Sequence, residues 1–498
     1  MRNKIYLFIF VLCLFSSAFS AAEGRVCNRV VKMKWNAGNT AETIRTTIIS
    51  AKENTTIRFE KNKTYIVTWN DRNYLADLKE GMTIDGNGAT IKIADGTNKK
   101  DFTWGCLFRI SRKNNITIKN LTVDFNGENN PVLQKLEHLY WERNGLTVAE
   151  FADNLTICNC RLIGQRGDND ITIFASNSIK VHHCVFINSG QVKPTEYLVD
   201  HSSLLVLSCK NAEIYKNRII NDTLRLIGTG YDLGLVDSDV HDNYVDNAHN
   251  GMILSGNNAC RNVTVRNNEF KDNTFAIILW SYGITANYPE GSMVEKIVIE
   301  RNKFHWTARN GQYYCRGINM KSHTEGTTRE IRIVNNTFES DIDAKTINLE
   351  KSFEYAIYLG ASPSSVNTDL AKVENVTISN NTFSAIMGPA IRLSDKAFYT
   401  TIKKNTFKDC SSTAFDGFDG SIIVAATESQ TSLSNIRIEK NKFYNDKHQF
   451  GKYGIALYNT LSDVQVINNR VGLKTTEQLL VEPRIRKDHE VRKDIIVR

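Results

Sequence analysis

One short phrase keeps returning in this chain. It reads NNTF at 335–338 and again at 380–383, NNEF at 267–270, RNKF at 301–304, KNTF at 404–407 and KNKF at 440–443. Aligned on its asparagine, the phrase gives a ladder of Asn217, Asn243, Asn268, Asn302, Asn336, Asn381, Asn405, Asn441 and Asn469, with Cys160 and Cys184 in the same register upstream. Successive members lie 24 to 45 residues apart, and the gap keeps returning to its floor. A period with a floor that often swells describes a coil of fixed girth carrying loops of variable size.

Each asparagine is preceded by a short alternating strand: VTV (263–265), IVI (297–299), IRI (331–333), VTI (376–378), IRI (436–438) and VQV (464–466). Period-two alternation puts their aliphatic side chains on one face. Two residues after the asparagine stands Phe270, Phe304, Phe338, Phe383, Phe407 or Phe443, also expected inside. A second strand follows, often opened by glycine or alanine: GMILS (251–255), AIILW (276–280), GINMK (317–321), AIYLG (356–360), AIRLS (390–394) and GIALY (454–458).

Over roughly residues 100–475 this pattern resembles the right-handed parallel β-helix family, the pectate-lyase-like solenoids. The expected fold class is all-β: a single-stranded right-handed parallel β-helix with an N-terminal capping helix. In such a coil the asparagine sits at a tight bend, tolerates left-handed backbone and bonds its neighbours above and below. The expected division is a signal peptide at 1–20, an N-terminal cap and first coil at 21–100, the β-helix at 101–475, and a C-terminal cap or tail at 476–498. Asn39–Lys52 reads as the capping helix, followed by strands in TIRFEKNKTYIV (56–67) and MTIDGNGATIKI (82–93). A solenoid end without a cap exposes strand edges and core.

Register turns the second strand into a map of a surface. If Ile318 and Met320 point inward, Asn319 and Lys321 point out. One outward row then reads Ile253, Ile278, Asn319, Tyr358, Arg392, Ile423 and Ala456; the other reads Ser255, Trp280, Lys321, Gly360, Ser394, Ala425 and Tyr458. Coils are spaced about 4.8 Å apart, so Lys321 and Arg392, two coils apart, are expected about 10 Å from one another with Tyr358 between them. In the resembled family this face and the loops after it form the glycan-binding cleft. On that face the register and the residue chemistry single out Lys321, Tyr358 and Arg392 as candidate catalytic residues, and Trp280, Arg316, Asn319, His323 and Tyr458 as candidate substrate-binding residues. A cationic pair beside an aromatic hydroxyl suits β-elimination: the cations neutralise a uronate and acidify its α-proton, and Tyr358 or Lys321 removes it.

A second candidate set lies upstream. It comprises Asp170 in GDNDITIF, Asp200 and His201 in VDHSSLLVL, and His249 in AHNGMIL, with Asp168, Arg225 and Asp232 nearby. Two carboxylates at suitable separation make a glycosidase. The hydrolase signatures DD, GHG and RIK and the usual pectate-lyase motif are absent, so the resemblance is one of architecture.

The first residues place Arg2 and Lys4 before the apolar run Ile5–Phe15, with Ala18 and Ser20 ahead of Ala21, which reads as a cleaved secretory signal. A secreted or periplasmic location follows. Removing residues 1–20 lowers the formal charge from +8 to +6, which suits an acidic polysaccharide. The basic residues form no run, which argues against nucleic acid, and no later segment is long and apolar enough to span a membrane. Nine of the ten cysteines lie beyond the signal, with no metal spacing; Cys158 and Cys160 are expected to pack in the core, and no metal site is assigned. No cofactor is assigned either. Calcium stays open from the resemblance alone, since no compact acidic motif appears. The leading reading is a secreted polysaccharide lyase on uronate-containing glycan. A glycoside hydrolase with paired aspartates comes second, and a non-catalytic glycan-binding or adhesive solenoid third.

Overall fold

The structure is a computed structural model. It describes residues 29–497 apart from 39, 69–73, 98–104, 132–143, 192–200, 224, 226–227, 257–258, 282–291, 308–315, 323–325, 342–354, 362–371, 412–420, 427–432, 447–452, 459–460, 473–476 and 482–494. Every strand pairing among the described residues is parallel, each strand lying on its counterpart one coil away.

Each coil has three faces. The first carries the strands before the asparagines, such as Cys260–Arg266 and Met293–Glu300. The second carries the phenylalanines in short strands such as Glu269–Lys271 and Lys303–Trp306, fourteen of them stacked from Thr64–Val67 to Arg470–Gly472. The third carries strands such as Asn250–Ser255, Phe275–Ser281, Arg316–Ser322 and Tyr355–Ala361. Thr229–His241 runs unbroken from the third face into the first face of the next coil.

The phenylalanines form an internal column. Centroids from Phe270 through Phe304, Phe338, Phe383 and Phe407 to Phe443 are 4.5–5.4 Å apart, and the rings are within 12° of parallel. Each fully buried phenylalanine contributes about 2–3 kcal/mol of transfer free energy. The asparagines form a second column at the bend beside it. From Asn217 to Asn441, each backbone N–H and side-chain amide donates to Oδ1 of the asparagine one coil on, at 2.8–3.1 Å. The amide also donates to a carbonyl one coil back, as Asn336 Nδ2 does to Ile299 O at 2.9 Å. Cys184 donates its N–H to Asn217 Oδ1, so the cysteines do hold the ladder register.

The left-handed position of the bend differs from the expected one. The ladder asparagine is not itself left-handed; the residue before it is. Lys216, Asp242, Asn267, Arg301, Asn335, Asn380, Lys404, Lys440 and Asn468 all have φ between 53° and 58°. The asparagine is free of that duty because its side chain must point into the column.

At the N-terminal end, helix Thr40–Ser50 buries Ala41, Ile44 and Ile48, a spacing that lays one face on the coil. Beside it, Arg29–Met33 pairs with Thr55–Phe59. Beyond the last full coil, Ile495–Val497 pairs with Leu461–Ile467.

Candidate functional site

The third face presents residues that point away from the core. In its middle row, Asp232, Ile253, Ile278, Asn319, Tyr358, Arg392, Val424 and Ala456 are successive register partners. Their strand neighbours Ile277, Met320 and Leu359 belong to the core. The row was expected to continue through Ile423, and the next through Ala425. Val424 and Ala426 take those places, and Ile423 pairs with Ile391 and Ile455 in the core. The slip has a cause. Sister strands open on a glycine or alanine, whereas Ser421–Ala426 carries Ile422 there, so the sequence offers no mark for its start.

The second outward row is Ser255, Trp280, Lys321 and Gly360, and further on Ala426 pairs with Tyr458. Gly360 shapes the site. A Cβ added there would stand 2.9 Å from Tyr358 Oη and 3.0 Å from Ser394 Cβ. The phenol of Tyr358 therefore folds across Gly360, bringing its oxygen beside Ser394 and onto the rung that Gly360 shares with Lys321. The side chain of Lys321, and all of His323, lie outside the described residues.

A continuous stack crosses these rungs. The ring of His249 meets Phe275 edge-on at 5.8 Å, and the guanidinium of Arg316 lies 4.4 Å from the Phe275 centroid and 5.6 Å from that of Tyr355. Tyr355 and Tyr358 stack at 4.8 Å, and the Arg392 guanidinium is 5.8 Å from the Tyr358 ring. The fold thus joins His249, Arg316, Tyr358 and Arg392, which the sequence assigned to two separate sites. Burial lowers the pKa of His249, helped by the charge of Arg316, which keeps its imidazole neutral at pH 7. Sequence reasoning missed Phe275 and Tyr355. Their signal was there to find: each immediately precedes the alanine that opens its strand, as Arg316 precedes Gly317.

Although this face points outward, much of it is buried: Asn319 is 5% exposed and Arg392 9%. Among the described residues, Asn319 Oδ1, Ser255 Oγ and Ser394 Oγ have no hydrogen-bond partner. Buried polar atoms in native proteins are nearly always paired, so a row of acceptors and hydroxyls between aromatic rings and two guanidiniums is suited to a polyhydroxylated, anionic ligand. Trp280 and Tyr458 are half-buried along the same row.

Of the upstream carboxylate pair, Asp170 alone is among the described residues. Asp170 is fully buried inside the coil, and its backbone is packed against Gly145 of the preceding coil. Burial pushes its carboxyl up to about 8, against weaker opposing help from Ser189 and Ser203. Asp200 lies outside the described residues. His201 is 1% exposed, and burial lowers its pKa to about 4. On the first face, His182 stacks on Tyr215 at 4.7 Å and Tyr215 on His241 at 5.1 Å. Among the described residues no three His, Cys, Asp or Glu side chains converge as metal ligands, and no helix is long and apolar enough to cross a membrane. Cys106, Cys158, Cys160, Cys184, Cys209, Cys260 and Cys410 are free thiols, all buried.

With this geometry in hand, the chain can be set beside known proteins. The family described as right handed beta helix region matches over residues 106–291 and 280–471. Among solved structures, the tailspike protein of E. coli bacteriophage HK620 in complex with pentasaccharide is similar over 89% of this chain and 75% of its own, at 14% identity and a TM-score of 0.64. A double mutant of that tailspike with pentasaccharide aligns over 91% and 76%, at 12% identity and 0.64. A single mutant with pentasaccharide aligns over 93% and 77%, at 12% identity and 0.65. At such identities the likeness is one of fold. No curated protein sequence matches the chain.

Proposed function

This chain belongs to the right-handed β-helix family, and on that premise we propose that it binds a polysaccharide along its third face and cleaves it by β-elimination at uronate units. The similar tailspike structures hold a pentasaccharide, which supports glycan as the ligand class. The observation that carries the elimination reading is the phenol of Tyr358 folded over Gly360, beside Arg392 and on the rung of Lys321.

In this mechanism Arg392 and Arg316 neutralise the uronate carboxylate, which lowers the cost of the carbanion that forms next to it. Tyr358 enters as the phenolate, which the neighbouring Arg392 guanidinium favours; its oxygen takes the α-proton and becomes the neutral phenol, the C–H electrons become the new carbon–carbon double bond, and the glycosidic C–O bond breaks. Lys321 supplies a proton to the leaving oxygen. The rings of Trp280, Tyr355 and Tyr458 give stacking surfaces for sugars on either side, and the neutral imidazole of His249 adds no further positive charge. The partner is an acidic polysaccharide, met outside the cell or in the periplasm.

The test follows the ultraviolet absorbance of the unsaturated product while the protein is incubated with uronate polysaccharides. Tyr358→Phe is expected to lower the rate about 10²–10⁴-fold, the range of a lost general base, with its melting temperature unchanged. Gly360→Ala should have a similar effect by displacing the phenol. If Tyr358→Phe keeps full activity, the assignment fails. If glycan binds and no product forms, the protein is a binding solenoid.

A further inference from the structure

The bends that lead onto the third face between Ile163 and Thr229 hold a cluster that the outward rows do not use. Three coils contribute to it. Asp170, Ser189, His201, Asn221 and Arg225 are between 0% and 3% exposed. Yet among the described residues Asp170 Oδ1 and Oδ2, Ser189 Oγ, His201 Nε2, Asn221 Oδ1 and Arg225 Nε meet no hydrogen-bond partner. The groups are neighbours. The hydroxyls of Ser189 and Ser203 lean toward the Asp170 carboxyl, and the His201 ring feels the charges of Arg166 and Arg225. Gly228 lets Arg225 fold back: a Cβ at Gly228 would stand 2.7 Å from Arg225 Cβ and 3.8 Å from Ser189 O.

The polarity of each unpartnered atom can be assigned. His201 Nδ1 lies 2.8 Å from Gly167 O. A carbonyl only accepts, so Nδ1 carries the proton and Nε2 offers a lone pair. Asn221 Nδ2 donates to Asn247 O, and its Oδ1 remains an acceptor. Arg225 Nε–H and the Ser189 hydroxyl are donors. Because burial pushes the Asp170 carboxyl up to about 8, at neutral pH it is an uncharged acid with a hydroxyl to donate.

Charge points the same way. Arg166 is paired with Glu128 at 2.8 Å. Arg225 is desolvated and is repelled by Arg166, with only weak help from Glu128 and Asp222. A buried cation is stable when an anion sits on it, and the acid inside this cluster is uncharged.

We propose that this bend is a binding site for a hydroxy-carboxylate, separate from the outward face. The carboxylate lies on Arg225 Nε–H and the hydroxyls of Asp170 and Ser189, and the ligand's own hydroxyl donates to His201 Nε2 or Asn221 Oδ1. The chemistry is shared by a sugar acid and by a short free hydroxy acid. The site is independent of cleavage at Tyr358.

The experiment is calorimetric titration of the intact protein with glucuronate, glycolate and glucose at pH 7 and pH 9. Glucuronate or glycolate is expected to bind at pH 7 at least about tenfold tighter than glucose, because only an anion answers the buried guanidinium. The tighter of the two acids identifies the source. Arg225→Gln should weaken that binding about tenfold or more, and His201→Phe, which keeps a ring of similar shape but has no acceptor at Nε2, should also weaken it. At pH 9 Asp170 carries its own charge, repels the carboxylate and lowers the affinity; the charged groups facing it and its partners are Arg166, Arg225, Glu128 and Asp222. Absence of binding to the wild-type protein, equal affinity for glucose, or affinity unchanged in Arg225→Gln would overturn the proposal. The first and second outcomes need no variant to fold.

Discussion

The described coils turn through two asparagine-bearing bends, and the two differ in how completely their polar groups are bonded. At the bend before the phenylalanine strands, the amides from Asn217 to Asn441 donate to the next coil and to the previous one. The bend before the third face is as orderly where it repeats: Asn221 and Asn247 exchange amide–carbonyl bonds, and Asn273 Nδ2 donates to Val245 O. Where its sequence leaves the repeat, at Asp170, Ser189, His201 and Arg225, buried oxygens and nitrogens have no hydrogen-bond partner among the described residues, and Asn221, at the edge of the repeat, leaves only its Oδ1 unpaired. A repeated residue meets a copy of itself one rung away and so completes its own bonding. An unrepeated one depends on something else to complete it.

Substitutions can break that comparison in graded steps. The largest effect is expected inside the saturated part. Phe338→Ala opens a gap between Phe304 and Phe383 and should cost about 4 kcal/mol in a denaturant titration, in the range for truncated buried aromatics. Asn336→Ala leaves the N–H and amide of Asn302 without their acceptor and should cost about 3 kcal/mol. A loss under about 0.5 kcal/mol would mean that the column is ornamental.

The unsaturated bend should announce itself through pH. The Asp170 carboxyl, at about 8 when folded and 3.8 ordinarily, holds a proton that the unfolded chain gives up. Stability is therefore lost as pH rises from about 4 to about 8, by up to about 1.4 kcal/mol per unit. His201 runs the other way. Its folded value of about 4 lies below the ordinary 6.5, so stability rises with pH between those two values. The two slopes oppose one another up to about pH 6.5, and above it only the loss remains. Asp170→Asn should remove that loss, which urea titrations at pH 6.5 and pH 8 would read as a wild-type slope absent from the variant. Equal slopes in both proteins would show that the carboxyl is not buried as described.

The smallest step is the most direct. Ser176 and Ser189 are each 3% exposed. The Ser176 hydroxyl accepts from Ala152 N at 2.9 Å and donates to Phe174 O at 2.7 Å; Ser189 Oγ does neither. Ser176→Ala should cost about 1 kcal/mol, and Ser189→Ala within about 0.5 kcal/mol of nothing. Similar losses at both would erase the distinction between the two regions.

What the sequence disclosed follows the same division. The recurring coil, the phenylalanine column and the register of Asn319, Tyr358 and Arg392 rest on repetition and could be read from spacing; the β-helix architecture and the amide ladder came from the resemblance to that family. The left-handed residue was placed one position late, because asparagine's tolerance for that geometry made it the obvious occupant. The row slipped at Ile423 because Ile422 replaces the glycine or alanine that marks a strand start elsewhere. The stack from His249 to Arg392 was missed for another reason: Phe275 and Tyr355 are ordinary core types, so their shared place before the strand-opening alanine, on one register line with Arg316, did not mark them as functional. The inward placement of Asp170 was equally out of reach. Sequence spacing does not reveal which side of a bend a side chain takes.

The ladder spacing of 24 to 45 residues has a last consequence when set against ring separations of 4.5–5.4 Å. Contour length and axial length are uncoupled: the 45 residues between Asn336 and Asn381 advance the molecule by one rung, as do the 24 between Asn381 and Asn405. The axis behaves as a ruler whose graduations are indifferent to what hangs between them. Sequence can be added at the corners of the third face without shifting any Phe or Asn from its neighbour, so new recognition surface can accumulate while the measuring rod keeps its scale.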